Sequence, residues 1–119
     1  MLNEIINKFE NFSDALVSEI KYNYALDRKD AEVTIKCMNR LNDYNWEIIK
    51  LFFIDVVYFR FYENDKTTST IINSALLKNE NDLIIIDFFP LIFGGSNLKI
   101  NENSDFIIYC KRIEYTSIE

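Results

Sequence analysis

"NFSDALVSEIKYNYALDRKDAEVTIKC", residues 11–37, alternates apolar and polar residues on both sides of a short charged turn. Leu16, Ser18, Ile20, Tyr22 and Tyr24 alternate with Val17, Glu19, Lys21 and Asn23. A period of two predicts a strand over residues 15–26 with one largely apolar face. "LDRKD" makes the turn, and Val33, Ile35 and Cys37 then alternate with Glu32, Thr34 and Lys36. Two such runs around a turn predict an antiparallel hairpin. Asp14 stands just before the first strand, where an Asx side chain ends a helix-to-strand connection by accepting backbone N–H bonds.

Outward from the hairpin, the pattern stays rich in strand. Leu2, Ile5, Ile6, Phe9 and Phe12 fall at helical spacing and predict a short amphipathic helix over residues 2–12. Residues 39–45 are polar and loop-like. "WEIIKLFFIDVVYFRFY", residues 46–62, is aromatic and β-branched, and predicts one bent strand or two strands meeting near Asp55. "TTSTIINSALLKN", residues 67–79, places Ile71, Ile72, Ala75 and Leu76 at the spacing of a three-turn helix. "DLIIIDFFPLIF" reads as a buried strand, or as two short pieces around Pro90, and Gly94-Gly95 as a turn. "NLKIN" predicts a short strand. "SDFIIYCKRIEY" predicts a final one with Phe106, Ile108 and Cys110 on one face. The expected fold is α+β: a mainly antiparallel sheet with a short N-terminal helix and one helix inserted between strands.

The chain has 119 residues, which suits a single domain spanning 1–119. Apolar residues make up 49% of it, and two Gly and one Pro interrupt it, so a packed core is expected rather than disorder. There are 19 acids against 13 bases, a net charge of −6. Nucleic-acid binders draw affinity from a basic patch, and the longest basic runs here are the pairs Arg28-Lys29 and Lys111-Arg112. The acidic balance fits a basic protein partner instead. The start of the chain carries acids where a signal peptide has bases, and the most apolar window is broken by Asp87 and Pro90. With two cysteines and no disulfide framework, a cytoplasmic protein with reduced thiols and no membrane association is expected.

Catalytic chemistry has little to work with. The chain has no histidine, which removes the commonest general base and metal ligand. Two separated cysteines are too few for a thiolate zinc site, and no phosphate-cradling glycine loop or nucleophile elbow is present. No enzyme activity and no cofactor are implied. Asp87, inside an apolar run, reads as an outward-facing strand position or a partner for Lys or Arg. Cys37 and Cys110 read as small core residues. Trp46, Tyr58 and Tyr62 are aromatics of the kind that anchor interfaces, although sheet packing also uses them. Residues 61–119 hold nine acids against five bases, and 1–60 ten against eight. The acidic recognition surface is therefore expected in the second half, with Glu63, Asp65, Glu80, Asp82 and Glu102 in loops or at strand ends.

"FSDALVSEIKYNY", "LFFIDVVYFRF" and "SDFIIYCKRIEY" together resemble a group of small bacterial proteins that open with a phenylalanine–histidine–aspartate–alanine motif leading into a strand. The group includes YxiG-like proteins and immunity proteins of polymorphic toxin systems. The motif falls on Phe12, Ser13, Asp14 and Ala15, and a second signature on Phe53, Asp55, Val56 and Phe59. Ser13 departs from the group's histidine, which favours a structural role for the motif. The resemblance implies a non-enzymatic protein that neutralises a basic toxin domain by occlusion. The alternative is a homodimeric bacterial protein with a housekeeping or small-ligand-binding role, in which a second copy covers an aromatic sheet face.

Overall fold

The computed structural model describes residues 1–63, 71–94 and 97–118. Among these residues one α-helix, α1 (Leu2–Phe9), precedes nine strands: β1 (Ala15–Tyr24), β2 (Lys29–Asn39), β3 (Asn45–Phe61), β4 (Ile71–Ile72), β5 (Leu76–Glu80), β6 (Leu83–Asp87), β7 (Leu91–Phe93), β8 (Asn97–Lys99) and β9 (Phe106–Ser117), with a 3-10 turn at Arg40–Asn42 between β2 and β3. Seven of them form one sheet in the order β4-β1-β2-β3-β9-β6-β5, with every pairing among the described residues antiparallel, and β7-β8 form a separate ribbon. The fold is thus mostly antiparallel sheet with one short helix.

The sheet is rolled, and chain reach requires it. β4 and β5 lie on opposite edges yet are joined by residues 73–75 alone. Four residue steps from Ile72 to Leu76 span at most ~14 Å. Six inter-strand gaps of a flat seven-stranded sheet would hold the edges roughly 29 Å apart. Only a strongly coiled sheet brings them within reach. Residue 11 pins this closure: Ala75 N donates to the Asn11 carbonyl at 2.6 Å, and Asn11 Nδ2 to Ser74 Oγ at 3.3 Å.

This closure corrects the helix expected over 67–79. Ile71–Ile72 pairs with Ala15–Leu16, and Leu76–Glu80 pairs with β6. Ile72 and Ala75 are buried from the two edges in turn, which satisfies the same apolar spacing without a helical turn. The remainder of that segment, 67–70, lies outside the described residues.

α1 lies against the inner face and ends three residues earlier than the apolar spacing suggests. Ile5 and Phe9 are buried, and the Phe9 ring meets Tyr115 of β9 edge-on at 5.5 Å. Arg40 Nε donates to the Asn7 carbonyl at 3.0 Å and Tyr44 Oη to Glu10 Oε1 at 3.0 Å, tying the helix to the β2–β3 turn. Between helix and β1 the backbone turns through Glu10, Phe12 and Asp14, at φ of 53°, 53° and 59°. Asp14 serves here through its backbone. It tolerates the left-handed region, and the bond across the turn runs from Ala15 N to the Phe12 carbonyl. Its carboxylate makes no recorded hydrogen bond among the described residues, which corrects the side-chain capping role expected of it.

Bulges redirect two strands. In β1 the register shifts between Val17 and Glu19, so Val17 and Ile20 both turn inward and Leu16 faces out. The single apolar face expected for this strand is therefore divided. β3 is one strand of 17 residues bent at Asp55, whose φ is 56°. Phe53 and Val56, three apart, both enter the core, and the register shifts again before Tyr58.

The inner face is one continuous cluster running from Ile5 and Phe12 through Ile35 and Leu51 to Ile108. Phe106 stacks on Phe88 at 4.2 Å and meets Phe61 edge-on at 5.2 Å. Cys37 and Cys110 are both free and fully buried in it. No helix among the described residues is long and apolar enough to cross a membrane.

Candidate protein-docking face

The β6–β9 seam carries a second, smaller layer on its outer side. After β6 the chain leaves the sheet through Phe88–Pro90, forms the β7–β8 ribbon, and returns to β9 through residues 100–105. Asp87 fixes the return. It is fully buried; Oδ1 accepts from Phe89 N at 3.0 Å and Oδ2 from Asn101 N at 2.8 Å. In register with Ile107 it faces the outer side of the sheet, as expected, but the excursion buries it, and two backbone donors rather than a Lys or Arg satisfy the carboxylate. Asn101 adds Nδ2 to the Phe89 carbonyl at 3.0 Å, and its Oδ1 accepts from Asn103 N at 2.9 Å. Ser104 Oγ, buried, closes the loop onto Phe106.

This clamp sets Ile100 and Glu102 beside the sheet's outer face. Tyr58 and Tyr109 pair across β3 and β9, with ring centroids 5.6 Å apart at 83°. Tyr58, Ile100, Glu102, Ile107 and Tyr109 line an open depression of about 330 Å³. A second depression of about 330 Å³ shares Ile100 and Tyr109 with it and is bordered by Lys78, Glu80, Asn81 and Ile85. Asp82 follows in the β5–β6 turn, where Asn81 and Asp82 hold φ of 53° and 64°. Glu80 binds Lys78 Nζ at 2.5 Å, and Arg60 Nη1 donates to the Glu102 carbonyl at 3.4 Å. The seam is an apolar, tyrosine-lined trough with Glu102 and the Lys78–Glu80 pair on its rim.

Of the residues singled out from sequence, Tyr58, Glu80 and Glu102 meet along this trough, with Asp82 at its end. Tyr62 and Glu63 follow the end of β3 and line neither depression; Tyr62 N donates to the Asp105 carbonyl at 2.7 Å. Asp65 lies outside the described residues. Trp46 does not join them. It is half-exposed at the opposite end of β3, twelve residues and roughly 35 Å along a bent strand from Tyr58. Its neighbours are Met38 in register and Lys36 Nζ, 6.0 Å from the ring.

Sequence reasoning missed Tyr109, Ile107 and Ile100. The alternation that put Phe106, Ile108 and Cys110 inside left Ile107 and Tyr109 outside, so that half was readable. Ile100 was not, since it covers the seam only because Asp87 and Asn101 meet.

The depressions are open to solvent, and among the described residues no three His, Cys, Asp or Glu side chains are placed to hold a metal ion. Both thiols are weak acids: burial pushes Cys37 up to about 12, helped by the Glu47 charge, and Cys110 up to about 11. Comparison with protein families, with curated proteins and with solved structures finds no match.

Proposed function

We propose that this chain is a non-enzymatic binding protein for a basic protein surface, acting in the cytoplasm as an immunity-type inhibitor that blocks a toxin domain by occlusion. The observation that carries the reading is the Tyr58–Tyr109 trough bordered by Glu102 and by the Lys78–Glu80 pair, with Asp82 in the adjoining β5–β6 turn. Tyrosines supply large contact area at low entropic cost and are frequent hot-spot residues. Rim carboxylates steer a cationic partner and act mainly on association rate. The buried Asp87 clamp holds the trough in shape before binding, which lowers the ordering cost of the complex. The role as a toxin antagonist rests on the resemblance carried by Phe12, Asp14 and the Phe53–Phe59 signature.

The test uses a basic toxin domain sought among the genes neighbouring this one, with association measured at low and high salt. Glu80→Gln, Asp82→Asn and Glu102→Gln together should slow association about tenfold at low salt and flatten its salt dependence. Tyr58→Ala should instead speed dissociation by roughly tenfold or more. A triple variant that associates as fast as the parent at low salt removes this face as the recognition site. Absence of binding by the parent removes the toxin reading.

A further inference from the structure

Glu102 is held in place while its charge is left unpaired. The chain on both sides of it is fixed: Asn101 N donates to Asp87 Oδ2 at 2.8 Å, and Asn103 N to Asn101 Oδ1 at 2.9 Å. Arg60 Nη1 donates to the Glu102 carbonyl at 3.4 Å. The Glu102 carboxylate itself has no hydrogen bond or ion pair among the described residues. The neighbouring cations are engaged elsewhere. Lys78 is bound to Glu80 at 2.5 Å, Lys99 Nζ lies 5.2 Å from the centre of the Phe93 ring, and Arg60 is turned to the carbonyl. Lys111 follows two residues beyond Tyr109 in β9 and lines neither depression.

This free carboxylate borders an apolar corner. Tyr58 and Tyr109 stand at 83° with centroids 5.6 Å apart, and Ile100 and Ile107 complete the walls of the depression of about 330 Å³. The adjoining depression differs, because Lys78 already answers the charge of Glu80 there. Two rings, aliphatic walls and one free carboxylate suit a side chain with an apolar stem and a flat cation. Arginine has both. Its methylenes pack on isoleucine, its guanidinium plane stacks on a tyrosine ring, and its N–H fork bonds both oxygens of a carboxylate. A lysine head is a compact, strongly hydrated charge that makes neither the stack nor the fork.

We propose that the Tyr58–Tyr109 depression is a pocket for one arginine side chain of the partner, with Glu102 binding its guanidinium. The inference rests on the docking-face reading above and names what that face recognises. Arginine is a frequent hot-spot residue, so the pocket selects arginine-bearing basic surfaces over lysine-bearing ones.

NMR of the full chain at low salt, titrated with N-acetylarginine methylamide, tests this without any partner protein. The probe should shift the amides of residues 100–109 and the ring signals of Tyr58 and Tyr109, with a Kd on the order of 1 mM. The corresponding lysine probe should bind about fivefold weaker or less, and the norleucine probe should produce no shift. Glu102→Gln and Tyr109→Leu should each weaken the arginine probe about tenfold. Glu32→Gln, which removes the same charge from β2, should leave its binding unchanged. Circular dichroism establishes that each variant is folded. Shifts scattered over the surface, equal binding of the three probes, or a folded Glu102→Gln chain that binds like the parent overturns the proposal. A toxin domain that binds the parent while the probe finds no site leaves the docking reading standing and removes the arginine pocket. A probe that seats as described, on a chain that binds no toxin, removes the toxin reading and leaves the pocket.

Discussion

The carboxylate of Asp87 accepts the backbone N–H of Asn101 at 2.8 Å, across fourteen residues of chain. It ties the end of β6 to the far side of the β7–β8 excursion, and Phe89 N at 3.0 Å occupies its other oxygen. Asp87→Ala strands two donors, each costing about 1–3 kcal/mol when left unpaired and buried. A loss of roughly 3 kcal/mol in urea unfolding is expected. Amides of residues 97–104 should exchange faster than those of β2 and β3. An Asp87→Ala chain with parental stability and exchange would mean that the clamp does not hold the excursion.

Asp55 sits in the left-handed region at φ 56°, in the middle of the longest strand. Asp55→Gly should leave stability within a few tenths of a kcal/mol, since glycine adopts this backbone without cost. Asp55→Val should lose about 1–2 kcal/mol through steric strain. Paired thermal melts distinguish the two. Equal losses would assign the position to its carboxylate rather than its backbone.

The two thiols should resist thiol reagents in the folded protein at mildly alkaline pH and react on unfolding. Their acidity also has a thermodynamic consequence. Burial raises Cys37 and Cys110 from an ordinary 9.0 to about 12 and about 11, so the unfolded chain ionises first. The stabilisation from keeping these protons is complete below pH 9.0 and is lost as pH rises toward 11 and above. Each thiol contributes a slope of about 1.4 kcal/mol per pH unit in that window. Urea titrations across it should show a shallower slope for Cys37→Ala than for the parent.

Phe106 joins the core's aromatic end, stacked on Phe88 and in edge contact with Phe59 and Phe61. Phe106→Ala should cost about 3–5 kcal/mol. Phe61→Ala, at a partly exposed ring, should cost less than half as much. Comparable losses from the two substitutions would contradict the burial order.

Much of this fold was legible along the chain. The alternation on both sides of residues 26–30 specifies a hairpin by itself, because side chains of successive strand residues point to opposite faces. The same rule placed β3, β9 and both buried cysteines. Asp55 and Gly94 were legible as a bend and a turn for local reasons: tolerance of left-handed backbone is a property of the residue. The acids around the trough were legible too, as charges in breaks between apolar runs.

Tertiary structure decided the rest. Residues 71–79 fit helical spacing as well as two strand pieces, and only sheet closure, joining opposite edges through residues 73–75, selects the strands. Asp87 carries no mark in sequence of its tie to Asn101. The separation of Trp46 from Tyr58, and the joining of Tyr58 to Tyr109 and Ile100, depend on which strands become neighbours and where an excursion lands. Periodicity reports which side of a strand meets the core. It carries no information about which distant strand will lie beside it, because that choice is made by the packing of the whole sheet.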